Sequence, residues 1–149
     1  MPPAAYDLEA VCDVCLQPVR DGEGALAVDT ARAERLVHAW RKRVGADPLA
    51  VFPHTSGHHC AAWTVRHHTC GRQPRFCYAI SVERIRTWTG LLHWSAHLAD
   101  KHWLVATDWN ALVLRALEPR RAAVSGLLPV RPRDLRGGPV GDLPNSTDR

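Results

Sequence analysis

The residues of this chain best suited to chemistry are its five cysteines, Cys12, Cys15, Cys60, Cys70 and Cys77, and its nine histidines. Cys12 and Cys15 are three positions apart. Wrapped around a tight turn, two thiolates at that spacing can both reach one metal ion at about 2.3 Å. A tetrahedral ion needs two more donors, and His67 and Cys70 repeat the spacing. Trp63, Val65 and His67 alternate with Ala62, Thr64 and Arg66, which predicts a strand ending at His67, and Gly71 opens a turn just beyond Cys70. Both donors can therefore face one point. The expected site is Cys₃His, made by Cys12, Cys15, His67 and Cys70 and filled by a structural Zn²⁺. Four protein ligands leave no open position for water or substrate, and the binding free energy of such an ion feeds into folding.

Other assignments of these side chains compete. An odd number of cysteines without a secretory leader argues against a disulfide framework and for thiols or metal ligands. Buried cysteines are also common as plain core residues. A redox Cys-x-x-Cys would follow a βαβ unit or open a helix, and Cys12 does neither. His68 can replace His67, although the alternation puts His67 on the face of Trp63 and Val65. Cys77 can replace it too, giving four thiolates, and Cys60 with His58 or His59 is a further pair. The His54–His59 run reads as a solvated loop tip.

Two cysteine-bearing turns that share one ion resemble zinc ribbons and treble clefs. The resemblance rests on Cys12, Cys15, His67 and Cys70, and it implies a small zinc-finger-like protein. A helix between the two ligand pairs and a helical pair after residue 87 are additions to a plain ribbon.

His93 and His97, four apart, share a helix face in the spacing of a zincin, and Asp100 lies one turn on. Position 94, however, is Trp rather than the Glu that such a hydrolase uses as general base. Two surface histidines packed with Trp94 are the simpler reading, and a metallohydrolase using His93 and His97 is the weakest of three functions. No glycine-rich phosphate loop or nucleophile elbow is present, and no catalytic residue is assigned.

Charge gives the other two. The net charge is +4, with the first 29 residues acidic and residues 30–86 basic. Only Lys42 and Lys101 are lysines, so arginine dominates, as suits phosphate recognition; a GC-rich coding sequence would give the same bias. Arg32, Arg35, Lys42 and Arg43 fall on one side of a helix at about 100° per residue and form a candidate nucleic-acid-binding face. Arg66, Arg72, Arg75, Arg84 and Arg86 follow. Trp63 and Tyr78 would stack on bases if exposed, whereas their alternation predicts burial. A nucleic-acid-binding accessory or regulatory protein is the leading expectation, and a zinc-stabilised protein–protein adaptor is the alternative.

The chain has 149 residues, 46% of them hydrophobic and 23% charged, which suits one globular domain. No apolar run approaches the roughly 18–20 residues that span a bilayer, and no signal peptide is recognisable; a cytoplasmic protein is expected.

The elements that must position these residues follow from periodicity and caps. The fold class is α+β, with two short β-hairpins gathered on zinc and about three helices around them. Residues 1–5 are a flexible arm, 6–118 the zinc-stabilised domain, and 119–149 a Pro/Gly/Arg-rich, mostly disordered tail. The first hairpin runs from the cysteine turn through Asp21-Gly22-Glu23-Gly24 to a returning strand at Ala25–Val28. A helix from residue 30 to 44, capped by Asp29 or Thr30 and stopped by Gly45, carries Ala33, Leu36, Val37, Trp40 and Val44 on its buried stripe. Strands at 62–67 and 76–82 pair as the second hairpin. A helix from Thr87 to about Trp103 carries Trp88, Leu91, Leu92, Ser95, Leu98, Ala99 and His102 on one stripe, and a last helix capped by Thr107 or Asp108 buries Trp109, Leu112, Val113, Ala116 and Leu117.

Overall fold

A computed structural model of the chain describes residues 6–53, 59–118 and 123–130. The fold is α+β. Strand β1 (Leu8–Val11) leads through the Cys12–Cys15 turn to β2 (Gly24–Asp29), and helix α1 (Thr30–Val44) follows at once. Strands β3 (Thr64–His67) and β4 (Cys77–Ser81) come next, then helices α2 (Trp88–Leu98) and α3 (Trp109–Leu117) and strand β5 (Gly126–Pro129).

The strands form two antiparallel sheets, β1–β5 and β3–β2–β4. The expected pairing of β3 with β4 as a hairpin is corrected: β2 lies between them. The reason is burial. Five of the six residues of β2 are buried, and a strand so enclosed must satisfy the backbone groups on both of its edges. Both neighbours run antiparallel to β2, so β3 and β4 are parallel to each other and residues 68–76 cross over. The expected first hairpin is likewise replaced: β1 pairs with β5 rather than with β2, leaving only a Val11–Pro18 bridge beside the cysteine turn.

Strand β5 lies in the stretch expected to lack structure. Gly126 to Pro129 add to β1 in the register Leu8–Pro129 to Val11–Gly126, and Leu127 enters the core. Residues 1–5 and the remainder of the tail, apart from 123–130, are outside the described residues, as are His54–His58.

Helix α1 keeps the expected limits. The Asp29 side chain accepts from the Arg32 N–H at 2.9 Å, and Gly45 ends the helix at φ 59°. Ala33 and Val37 are buried, with Leu36 packed against the core. Helix α2 is shorter than expected. It stops at Leu98, and the chain turns so that Trp103 enters the core; a continued helix would aim that ring about a third of a turn from the Leu91–Leu98 face. The buried stripe is also rotated towards Trp94, leaving Trp88 and Leu92 exposed. Helix α3 buries Trp109, Leu112 and Ala116, while Leu117 is exposed.

Tryptophan supplies the bulk of the core on the helical side. Trp63 packs against Trp109 with ring centroids 5.0 Å apart and against Trp103 at 6.2 Å, and Tyr78 touches Trp103 and Trp94. The indole N–H groups are satisfied, Trp63 donating to Thr107 and Trp109 to Ser95, each at 3.1 Å. Strand β3 is a sheet edge whose outward N–H groups are covered. Trp63 N–H donates to Asp108 and Val65 N–H to Asp13, both at 2.7 Å. Asp13 also donates its own N–H to the Val65 carbonyl at 2.8 Å, which stitches the cysteine turn to β3.

Candidate metal centre

The Cys12–Cys15 turn hangs from the end of β1. Cys12 N–H donates to the Gln17 carbonyl and Leu16 N–H to the Cys12 carbonyl. Leu16 takes φ 60°, the sole non-glycine residue in the left-handed region among the described residues. The second ligand turn leaves the end of β3, where Cys70 N–H donates to the His67 carbonyl at 3.0 Å. The register Gly24–His67 holds the turns together. Gly24 is required there by close approach: a Cβ would lie 2.1 Å from the Arg66 carbonyl oxygen and 2.7 Å from Val19.

The result is a cluster in which donor atoms of Cys12, Cys15, His67 and Cys70 all lie within 4.8 Å of one another. Cys15 Sγ is 3.3 Å and Cys70 Sγ 3.7 Å from His67 Nδ1. Tetrahedral bonds of about 2.0–2.3 Å give donor–donor edges of roughly 3.3–3.8 Å, so the spacing suits one ion. The imidazole is set for the task. Its Nε2 lies 3.0 Å from the Pro18 carbonyl, which can only accept, so Nε2 carries a proton and the neutral ring would offer its Nδ1 lone pair to a metal among the thiols. A backbone carbonyl in this supporting role is usual for histidine ligands.

The electrostatics point the same way. Burial pushes the Cys12 thiol up, but N–H groups of Cys15, His67 and Val14 and the His67 ring outweigh it and bring the pKa down to about 6. The Cys12 thiolate raises the pKa of His67, against the effect of burial. Cys70 goes to about 11 through burial, hydrogen bonding to Cys15 and Cys12, and repulsion by both. One thiolate is favoured at the cost of its neighbours, a conflict that a dication at the centre removes.

Among the described residues the competing ligand sets are not gathered, and His58 lies outside those residues. The Cys77 thiol turns to Gln73 Oε1 at 3.7 Å, and neither it nor Cys60 joins a cluster of three donors among the described residues. His93 and His97 are exposed with their rings stacked 6.5 Å apart beside Trp94, and among the described residues no third donor joins them.

The basic face of α1 is separate from this centre. Arg32, Arg35, Lys42 and Arg43 are all exposed, and none is in an ion pair among the described residues. Trp63 is buried and Tyr78 half-buried in the aromatic core, so neither offers a face to a base. Arg86 is committed to the fold: it pairs with Asp21 at 3.2 Å, donates to the Leu8 carbonyl and lies over the Tyr6 ring.

Residue type and spacing alone do not reveal the supporting groups. The Pro18 carbonyl and the Val14 N–H, which donates to Cys12 Sγ at 3.4 Å, belong to the backbone and carry no residue signature. Asp13, between the two cysteines, looks like any turn aspartate until β3 is beside it. No protein-family model, no curated protein and no solved structure matches the chain.

Proposed function

We propose that the chain is a zinc-stabilised nucleic-acid-binding protein with no catalytic role for its metal. The exposed, unpaired face of α1 carries this reading. Carboxylates at i±4 can offset cations on a helix face, but Arg32, Arg35, Lys42 and Arg43 form no ion pair among the described residues. Such a face suits phosphates. Cys12, Cys15, His67 and Cys70 would hold Zn²⁺, since three thiolates and an imidazole are a structural-zinc donor set. The ion would lock β3 against the cysteine turn.

The test combines elemental analysis with binding to a labelled oligonucleotide at several salt concentrations. One zinc per chain is expected, lost in Cys12→Ser. Affinity should fall steeply with salt, and the triple variant Arg35→Ala/Lys42→Ala/Arg43→Ala should flatten the slope of log K against log salt by about three. Binding that ignores both salt and these substitutions would rule the reading out.

A protein adaptor is the second reading, favoured by Trp88 and Leu92 on one face of α2 and Leu114 and Leu117 on one face of α3, all exposed. An adaptor would retain a single protein partner in the triple variant.

A further inference from the structure

Strand β3 has two faces with different fates. His67 turns to the metal centre, while Arg66 and Thr64 alternate to the opposite side of the sheet. There the central strand offers only Ala25 and Ala27, and a cavity of about 170 Å³ opens. Its walls include Ala27 and Arg32 at the β2–α1 junction, Ala61 and Arg66 along the second chain segment, and Gln73 and Pro74 from the crossover. Arg66 lines this space, and its Nε, which has no accessible surface of its own, has no hydrogen-bond partner among the described residues. A buried guanidinium donor without an acceptor is rare, because its desolvation goes uncompensated. Asp29 also borders the space, but its carboxylate already accepts from the Arg32 N–H as the helix cap.

The occupant is constrained by charge and size. Arg32, Arg66, Gln73 and Thr64 among the lining residues carry donor groups, and a guanidinium matches a tetrahedral oxyanion through its fork of N–H groups. The volume is below the roughly 300–1,000 Å³ typical of whole small-molecule sites, so one chemical group enters rather than a complete nucleotide. Arg32 belongs to both the cavity wall and the basic face of α1. We propose that this cavity is a phosphate pocket in which Arg66 and Arg32 hold one phosphodiester of a nucleic-acid strand lying along α1. The proposal rests on the nucleic-acid reading above and adds the anchoring point. It also gives the metal centre a purpose at a distance, since the ion fixes the strand that carries Arg66.

Fluorescence anisotropy with a labelled oligonucleotide, single-stranded and duplex, tests it across a salt series with Arg66→Gln and Arg66→Lys. Arg66→Gln should weaken binding about tenfold and reduce the salt slope by about one, with zinc content and melting temperature unchanged. Arg66→Lys should restore the slope but only part of the affinity, because the forked donor is missing. If the wild type binds oligonucleotide and Arg66→Gln matches it in affinity and slope, the pocket is refuted while the nucleic-acid reading stands. Thermal melts with inorganic phosphate against chloride at matched ionic strength separate the other failure. Should the wild type bind no oligonucleotide yet be stabilised by phosphate in an Arg66-dependent way, the strand is refuted and the pocket belongs to a free phosphorylated compound. With neither effect, both are refuted.

Discussion

The two ends of β3 are held by different physics. At its C-terminal end, His67 meets Cys12, Cys15 and Cys70, and the surrounding residues are mostly polar or exposed, with Val14 and Leu16 in solvent. At the other end, Trp63 is sunk among Trp103, Trp109 and Tyr78. Each end covers the open edge of the strand with one aspartate, Asp13 beside the metal centre and Asp108 beside the tryptophans. A few short-range donors can thus do in one place what a large apolar surface does in another. The difference would be in how each fails: with the proposed ion bound, coordination would be lost in one step on its removal, whereas apolar packing erodes side chain by side chain.

The sharpest way to break this comparison is to remove the proposed metal. Structural zinc in finger peptides is worth roughly 10 kcal/mol or more at neutral pH, beyond any single side chain. Chelation of the full chain should abolish hydrogen-exchange protection around residues 12–19 and 66–70 while the amides of α2 and α3 keep theirs. Simultaneous loss of protection throughout would show that the two ends are one cooperative unit, and the comparison would fail.

The reciprocal experiment is Trp63→Ala. Truncating a buried tryptophan costs about 3–5 kcal/mol, and this one also gives up the hydrogen bond to Thr107. Denaturant melts of the metal-loaded protein should show that loss, while zinc stoichiometry stays at that of the wild type. A variant that keeps its stability but releases zinc would reverse the assignment of roles.

What the chain made legible separates along the same line. The cluster could be read because Cys12, Cys15, His67 and Cys70 each carry a donor and repeat one spacing. Helix α1 could be read because Asp29, Gly45 and a 3.6-residue stripe agree with one another. Partner choice among strands could not. Alternation states which face of β3 is buried, but not that β2 rather than β4 lies beside it. Strand β5 was hidden by its setting, four residues that begin with glycine and end with proline, with only Leu127 buried. The end of α2 was hidden because Trp103 is drawn to rings more than twenty positions away in sequence, a tertiary demand with no local mark.

A smaller effect concerns Asp108, the aspartate at the tryptophan end. Burial raises the pKa of Asp108, opposed by the Trp63 N–H and by Arg115. A carboxyl that holds its proton more tightly when folded favours folding at low pH, and that contribution is lost as pH rises through the folded pKa. Asp108→Asn keeps an acceptor for Trp63 without the charge. Its melting temperature should therefore depend less on pH across the carboxylate range than that of the wild type. An unchanged pH profile would mean that Asp108 is as well solvated folded as unfolded.

The smallest effect concerns the turn between the ligands and the returning chain. Leu16 is exposed and left-handed, a conformation that costs an L-residue about 1–2 kcal/mol. Nothing in its surroundings repays that through burial, so the turn is held by Cys12, Cys15 and the Leu16 N–H bond to the Cys12 carbonyl. Leu16→Gly would relieve the strain but also enlarge the freedom of the unfolded chain, by about 0.5–1 kcal/mol. The net change in the metal-loaded protein should be a gain below about 1 kcal/mol, read as a small rise in melting temperature. After chelation the gain should vanish, because the turn is then released and the left-handed residue relaxes. A gain of equal size with and without metal would place the strain outside the metal-held end, and would remove the turn from the region that the ion controls.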